Sequence, residues 1–534
     1  MSTYDKPIEG ADAFVENHQD EKSDRHYVEP KNKKMNTELA IALENTHYNK
    51  WSKDSMILYL GVFVAFCSSY ASGYDGSLMT ALIAMKPFQE KFHPGTGGTH
   101  GNGGKVGAIM ATFNAGSCIG APVNTYVMDR FGRRPAQAAG ALLIVLGTIL
   151  TTTSHHLAQF IVGRFFLGMG SAFAQSAPAY SMEIARPQWR GRCAAIYNCG
   201  WYAGAIPAAA ITFGTNYMKT DLAWQLPLIF QCFTSVIICA FIFVIPESPR
   251  FLMSRGREEE AHAFLTRFHG GGDPNAPIVK LELEEMRNSY QENKMEAWYD
   301  YSPLVATHSG RWRLLQVILM GIFGQFSGNG LAYYITIVFG QLGITSVESQ
   351  LGYNILYSCV CAIGAITGAS LTDTMGRRKV LVVGPAVMSG LLSIYIGLNS
   401  IIAKHVQPDG STDLSPSLAQ GALAIYMLFG ATIAFVYTPL QSVLPVEALS
   451  NNMRAKGLTV YTFTMTAMGF INMFLGPVAL FSIGYKYIIV FAVIDALESV
   501  IWYFCCVESC GRTLEEMDYI YDQPNPPNAS KKHY

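Results

Sequence analysis

The chain has 534 residues, 50% of them hydrophobic and only 14% charged, too apolar a mixture for a water-soluble globular protein of this length. A formal net charge of -1, with no basic stripe, gives no reason to expect a nucleic-acid partner. What remains is an integral protein of a lipid bilayer.

Residues 1–50 are polar, carry no signal-peptide pattern and are expected to form a disordered cytoplasmic tail. Apolar stretches of about twenty residues, enough to span a bilayer, follow near 56–77, 106–128, 136–154, 157–180, 192–214 and 224–245. These make a six-helix half over 51–245. A polar linker over 246–313 reads as short helices, broken at Asp273-Pro274-Asn275 and ending in an amphipathic run through Val279, Leu283, Met286 and Tyr290. Six more spans, near 314–339, 351–372, 380–402, 419–441, 457–478 and 486–507, form a second half over 314–507, followed by a tail over 508–534. The fold class is therefore an all-α membrane protein of twelve transmembrane helices in two pseudo-symmetric halves. Arginines and lysines between spans 2 and 3 (Arg130, Arg133, Arg134), 4 and 5 (Arg186, Arg190, Arg192), 8 and 9 (Arg377, Arg378, Lys379) and 10 and 11 (Arg454, Lys456) place those loops, the linker and both termini in the cytoplasm. The eleven cysteines lie in or beside apolar segments without metal-ligand spacing and read as small core residues.

Two charges interrupt the apolar spans of the first half. Asp75, in Gly73-Tyr74-Asp75-Gly76, closes the first apolar segment, and Arg164 lies in Val162-Gly163-Arg164-Phe165 of the fourth span. An ionisable group at bilayer depth costs roughly 2.5–3.5 kcal/mol on insertion scales and asks for a partner or a cavity. An acid and a base on separate helices offset each other's desolvation, and protonating the acid releases the base. The alternative, an interfacial Asp75 that only caps a helix end, stays open at this level.

The halves repeat. Asp129-Arg130-Phe131-Gly132-Arg133-Arg134 returns as Asp373-Thr374-Met375-Gly376-Arg377-Arg378; Glu183 and Arg190 return as Glu447 and Arg454; Glu247 returns as Glu508. A glycine for the tight turn and arginines within reach of carboxylates suit a gate at the cytoplasmic ends, as repeated halves do in transporters. Amides inside apolar spans, namely Asn198, Gln325, Asn329, Gln441 and Asn472, with Trp201, Tyr333, Tyr334 and Tyr437 nearby, supply the donors, acceptors and ring faces that a polyhydroxylated ligand needs. No Ser/His/Asp set, metal-ligand cluster or nucleotide loop is present, so the chain does not read as an enzyme.

These motifs, with Pro246-Glu247-Ser248-Pro249-Arg250 and Gly511-Arg512-Thr513-Leu514-Glu515-Glu516, resemble the sugar porter branch of the major facilitator superfamily. Gly73-Tyr74-Asp75-Gly76-Ser77-Leu78-Met79-Thr80 and Thr307-His308-Ser309-Gly310-Arg311-Trp312-Arg313 look most like the cellodextrin and lactose transporters of filamentous fungi. The resemblance implies a plasma-membrane symporter of sugar and proton, working as a monomer without cofactor or metal, with Asp75 and Arg164 as the coupling pair. Asn198, Gln325, Asn329, Tyr333, Gln441 and Asn472 would bind the sugar. The family's first seventh-span glutamine is Gly324 here and its fifth-span glutamine is Asn198, smaller walls that favour a β-linked disaccharide over one hexose. A hexose transporter, facilitative or proton-coupled, is the alternative, and a sugar sensor a weaker one.

Overall fold

The computed structural model describes residues 49–93, 103–294, 301–344, 346–405, 416–450, 453–510, 512 and 514–531, with Ala42; of Asn198, Asp373 and Tyr290 only the main chain is described. The rest of the tail expected to be disordered, most of the glycine-rich loop before residue 103, and Gly511 and Thr513 lie outside the described residues. Ten helical stretches among the described residues are long and apolar enough to cross a membrane; the last, Lys456–Cys505, holds two spans, and Arg190–Thr215 completes the twelve.

The first half consists of Lys53–Leu82, Gly103–Phe131, Arg133–Thr152, Leu157–Ala174 continued by Ser176–Ile184, Arg190–Thr215 and Leu222–Phe241. The second consists of His308–Phe326 continued by Asn329–Ala332 and Ile335–Gln341, Val347–Met375, Arg377–Ala403, Pro416–Ala448, Arg454–Ile483 and Tyr487–Cys505. Packing repeats between them. The first span lies on the fifth, the second and third on the fourth, and the third on the sixth; correspondingly the seventh lies on the eleventh, the eighth and ninth on the tenth, and the ninth on the twelfth. Spans 2 and 11 and spans 5 and 8 join the halves.

The first span runs past the end expected for it. Ser52 caps its start by accepting from the Ser55 amide (3.1 Å), and the helix continues through Gly73 to Gly76 as far as Leu82. Gly73 has a packing role: a β-carbon on it would overlap the Trp201 carbonyl of the fifth span. Gly168 of the fourth span meets the Phe113 carbonyl of the second in the same way. Small residues at crossings let backbones approach closely where lipid gives helices no hydrophobic reason to associate. Asp75 is thereby carried well inside the bundle.

Two apolar cores each belong to one half. A third crosses between them, joining Leu78, Phe88, Phe160 and Trp224 to Tyr334, Leu351, Met473 and Leu480. It lies at the end opposite the arginine-rich turns. Hydrogen bonds cross there too, from Thr336 Oγ1 to the Thr80 carbonyl (3.2 Å) and from Tyr217 Oη to Glu348 Oε1 (2.6 Å). Linker helices Pro249–Ser254, Glu258–Phe264 and Pro277–Lys294 dock on the arginine-bearing end of the first half, burying Phe264, Leu265, Ile278, Val279 and Met286 against Ile184 and Ile245. The C-terminal helix Leu514–Asp522 docks likewise on the second half: Arg313 donates to the Ala448 carbonyl (2.8 Å), pairs with Asp518 (2.6 Å) and lies over the Tyr521 ring (4.3 Å).

Candidate functional site

Asp75 and Arg164 meet in the middle of the first half. Arg164 Nη1 stands 2.5 Å from Asp75 Oδ1, and both residues are buried, at 4% and 3% exposure. The Phe113 ring, 4.8 Å from the guanidinium carbon, covers Arg164 from the second span. A third group completes the site. Gln231 of the sixth span donates from Nε2 to the same Asp75 oxygen at 2.8 Å. Two donors on one carboxylate oxygen offset much of the cost of holding a charge away from water. Sequence reasoning missed Gln231, because a neutral amide leaves no charge mismatch to notice.

The residues after Asp75 face a cavity between the halves. Gly76, Ser77 and Thr80 of the first span line it with Trp201 and Tyr202 of the fifth, Asn329 and Tyr333 of the seventh, Asn354, Tyr357 and Ser358 of the eighth, and Thr438 of the tenth. Tyr202 Oη and Thr438 Oγ1 bridge the halves at 3.3 Å. Buried Ser77 Oγ and Asn354 Nδ2 have no hydrogen-bond partner, so the wall holds polar groups with unused capacity. The enclosed volume is about 80 Å³, against the roughly 300 Å³ or more of a typical ligand pocket; a sugar-sized ligand requires the walls to part.

Of the expected ligand-binding residues, Asn329 and Tyr333 line this cavity. Gln441 and Asn472 are engaged elsewhere. The seventh span breaks at Ser327-Gly328, where Gly328 adopts φ +83°, a left-handed conformation suited to glycine. The break frees carbonyls, and the amides take them up. Gln441 donates to the Gly324 carbonyl (2.9 Å), Asn472 to the Gln325 carbonyl (2.7 Å), and Asn329 reaches Gly324 at 3.5 Å. Non-helical backbone at membrane depth persists only where its polar groups find such partners. Gly324 therefore makes no room for a second sugar ring; the Gln441 amide fills the space its missing side chain leaves. Gln325 holds its side-chain oxygen near Gly469, and Asn198 lies outside the described side chains. Tyr334 and Tyr437 bond to the Met473 carbonyl and to Glu498 respectively, not to the cavity.

At the arginine-bearing end the two halves build the same cluster twice. Arg133 grips Glu183 with two nitrogens (3.0 and 3.1 Å), and Arg377 grips Glu447 likewise (3.3 and 3.0 Å). Ser248 and Ser509 donate to those glutamates. Glu247 receives the Arg133 and Arg134 amides (3.1 and 3.3 Å), and Glu508 those of Arg377 and Arg378 (2.9 and 3.1 Å), each carboxylate closing the first turn of a span. Burial pushes the Glu247 carboxyl up, against the pull of these amides. Gly132 and Gly376, at φ +108° and +88°, make the turns, and a β-carbon on either would run into the glutamate. Each cluster closes inside its own half. Arg190 pairs with Glu282 of the linker (2.8 Å) and Arg454 donates to the Leu449 carbonyl (3.5 Å), while Asp129 is exposed and the Asp373 side chain lies outside those described.

The chain is 27% identical to the high-affinity glucose transporter of Kluyveromyces lactis over 500 residues, covering 90% of this chain and 88% of that one. It is 26% identical to the high-affinity hexose transporter ght4 of Schizosaccharomyces pombe, covering 88% and 85%. Among solved structures, the inward-open conformation of the xylose transporter XylE from E. coli superposes with a TM-score of 0.69 at 17% identity, covering 87% of this chain and 99% of that one. Residues 60–521 match the model of the "Sugar (and other) transporter" family. The chain belongs to that family of the major facilitator superfamily and is a multi-pass membrane transporter of sugar, not an enzyme.

Proposed function

We propose that this protein imports a hexose together with a proton across the plasma membrane, as a monomer with both termini in the cytoplasm. The observation that carries the coupling is the position of Asp75, held by Arg164 and Gln231 and followed directly by Gly76 and Ser77 of the cavity wall. A proton adding to the carboxylate cancels its charge, frees Arg164 and removes the tie between spans 1, 4 and 6. Sugar filling the wall of Ser77, Asn329, Tyr333 and Asn354 biases the same helices, so the two events act on one equilibrium. Closure at the end opposite the arginines makes this conformation the one in which the outer gate is shut.

The named relatives support a hexose. The case for a disaccharide rested on likeness to the cellodextrin and lactose transporters and on Gly324 and Asn198, and Gln441 takes the Gly324 argument away. The test is uptake of labelled glucose, cellobiose and lactose in yeast lacking its own sugar transporters, with and without a protonophore. Concentrative glucose uptake that collapses with the protonophore is the expected result. Uptake of cellobiose that excludes glucose overturns the hexose, and accumulation that survives the protonophore overturns the coupling.

A further inference from the structure

The twelfth span carries two acids that the coupling site does not use. Asp495 and Glu498, one helical turn apart in Tyr487–Cys505, both have 0% exposure. Neither oxygen of Asp495 has a hydrogen-bond partner, and Glu498 has one, the Tyr437 hydroxyl of the tenth span at 2.6 Å from Oε2. Trp502, also at 0% exposure, holds its indole N–H beside Tyr437.

No cation faces them among the described residues. The tenth span presents the Tyr437 hydroxyl, the ninth presents Ser389 and Val382, which bond to and accept from the twelfth-span backbone and Ser499, and the seventh presents Phe323, edge-on to Trp502 at 5.6 Å, and Gln316, bonded to the Cys505 carbonyl. Two carboxylates one turn apart, unpaired and away from water, cannot both be ionised. At least one therefore holds a proton while the bundle is in this conformation.

We propose that Asp495 and Glu498 form a second proton-binding site, in the half opposite Asp75, which loads and unloads a proton during the transport cycle. The tenth span connects it to the cavity. Tyr437 faces Glu498, while its neighbour Thr438 lines the cavity and bridges to Tyr202 of the other half. Pro439 follows at once and interrupts the helix hydrogen bonding, so this stretch is a place where the span bends. When the halves separate at Tyr202 and Thr438, water reaches Tyr437. The carboxyl O–H bond then breaks and its proton passes to water. The new carboxylate keeps the Tyr437 O–H as a donor and gains water; resealing reverses the step.

The inference extends the proton-coupled reading, and its test separates the two. Infrared difference spectra of the full-length protein in nanodiscs, with glucose minus without, are expected to show a carboxylic C=O band that disappears as pH is raised. Asp495→Asn and Glu498→Gln each remove or shift that band, while Tyr437→Phe, which leaves both acids in place, moves its frequency. In oocytes, the charge moved per labelled sugar is expected to fall about twofold in Glu498→Gln. Identical spectra in all variants, a band insensitive to sugar, or an unchanged charge-to-sugar ratio would overturn the second site. A band lost on adding sodium at constant pH would overturn the proton in favour of an alkali cation. If instead Asp75→Asn leaves wild-type accumulation intact while the Asp495 and Glu498 band still responds to sugar, the Asp75 coupling fails and the second site stands.

Discussion

Gln441 sits over Gly324, its amide filling the space where a β-carbon would be and donating to the Gly324 carbonyl at 2.9 Å. The tenth span thus props the seventh just before its break. Gly324→Ala forces this contact apart and is expected to cost about 1–3 kcal/mol, the range for an overpacked interior. Adding Gln441→Ala relieves the clash but leaves the carbonyl unpaired, so the double variant recovers part of the loss. Thermal unfolding of purified protein in nanodiscs reads both effects.

Asp75→Asn keeps the shape of the coupling site and loses the titrating proton. Accumulation against a gradient is expected to disappear while sugar exchange persists. Because the sugar is neutral, the wild-type protein moves net charge, worth roughly 2.3 kcal/mol per 100 mV for each proton; currents recorded with uptake check this.

Gln231→Leu removes one donor to the charged form of Asp75 and leaves Arg164 in place. A hydrogen bond to a charge is worth about 1.5–3 kcal/mol. The dependence of uptake on external pH is therefore expected to differ from that of the wild type, with Gln231→Glu failing to restore the wild-type profile. A pH profile of initial rates decides it.

The Arg133–Glu183 and Arg377–Glu447 pairs hold each half together at one end. Glu183→Gln or Glu447→Gln weakens two bonds and leaves an arginine short of its partner. Turnover is expected to fall several-fold more than outside affinity does, and the two variants should behave alike because the clusters are copies. Separate measurement of binding and of net uptake distinguishes them.

Glu282 fastens the linker through His269 (2.5 Å) and Arg190 (2.8 Å). Burial works to raise its carboxyl, but the His269, Arg190 and Arg186 charges outweigh it and hold it below the ordinary carboxylate range. A depressed carboxyl stabilises docking above its free value and loses that contribution as pH falls through the depressed one. Acidification, or Glu282→Gln at neutral pH, is expected to speed hydrogen exchange across Pro277–Lys294, with the variant's exchange responding less to acid.

Charge in the wrong place made much of this readable from sequence. Asp75 and Arg164 stand out in apolar runs, and the repeated arginines and glutamates identify themselves by recurring in order, which also revealed the two halves. Asp495 and Glu498 gave the same signal as Asp75 but had no base to point to, and passed as part of a span. The amides were harder. Gln231, Gln441 and Asn472 are all neutral, and whether such a group faces a ligand, a carboxylate or a broken helix depends on which way the helix is turned.

The break at Gly328 divides the seventh span's allegiance. Its inner piece, His308–Phe326, is propped by Gln441 and anchored near Arg313 in its own half. Its outer piece, Ile335–Gln341, carries Thr336, whose bond reaches across to the first span. The outer piece is hung like a door leaf from Gly328, and it can swing with the opposite half while the frame stays still. Opening the outer entrance then breaks the Thr336–Thr80 bond along with the Tyr217–Glu348 bond and the apolar contacts that cross between the halves at the same end.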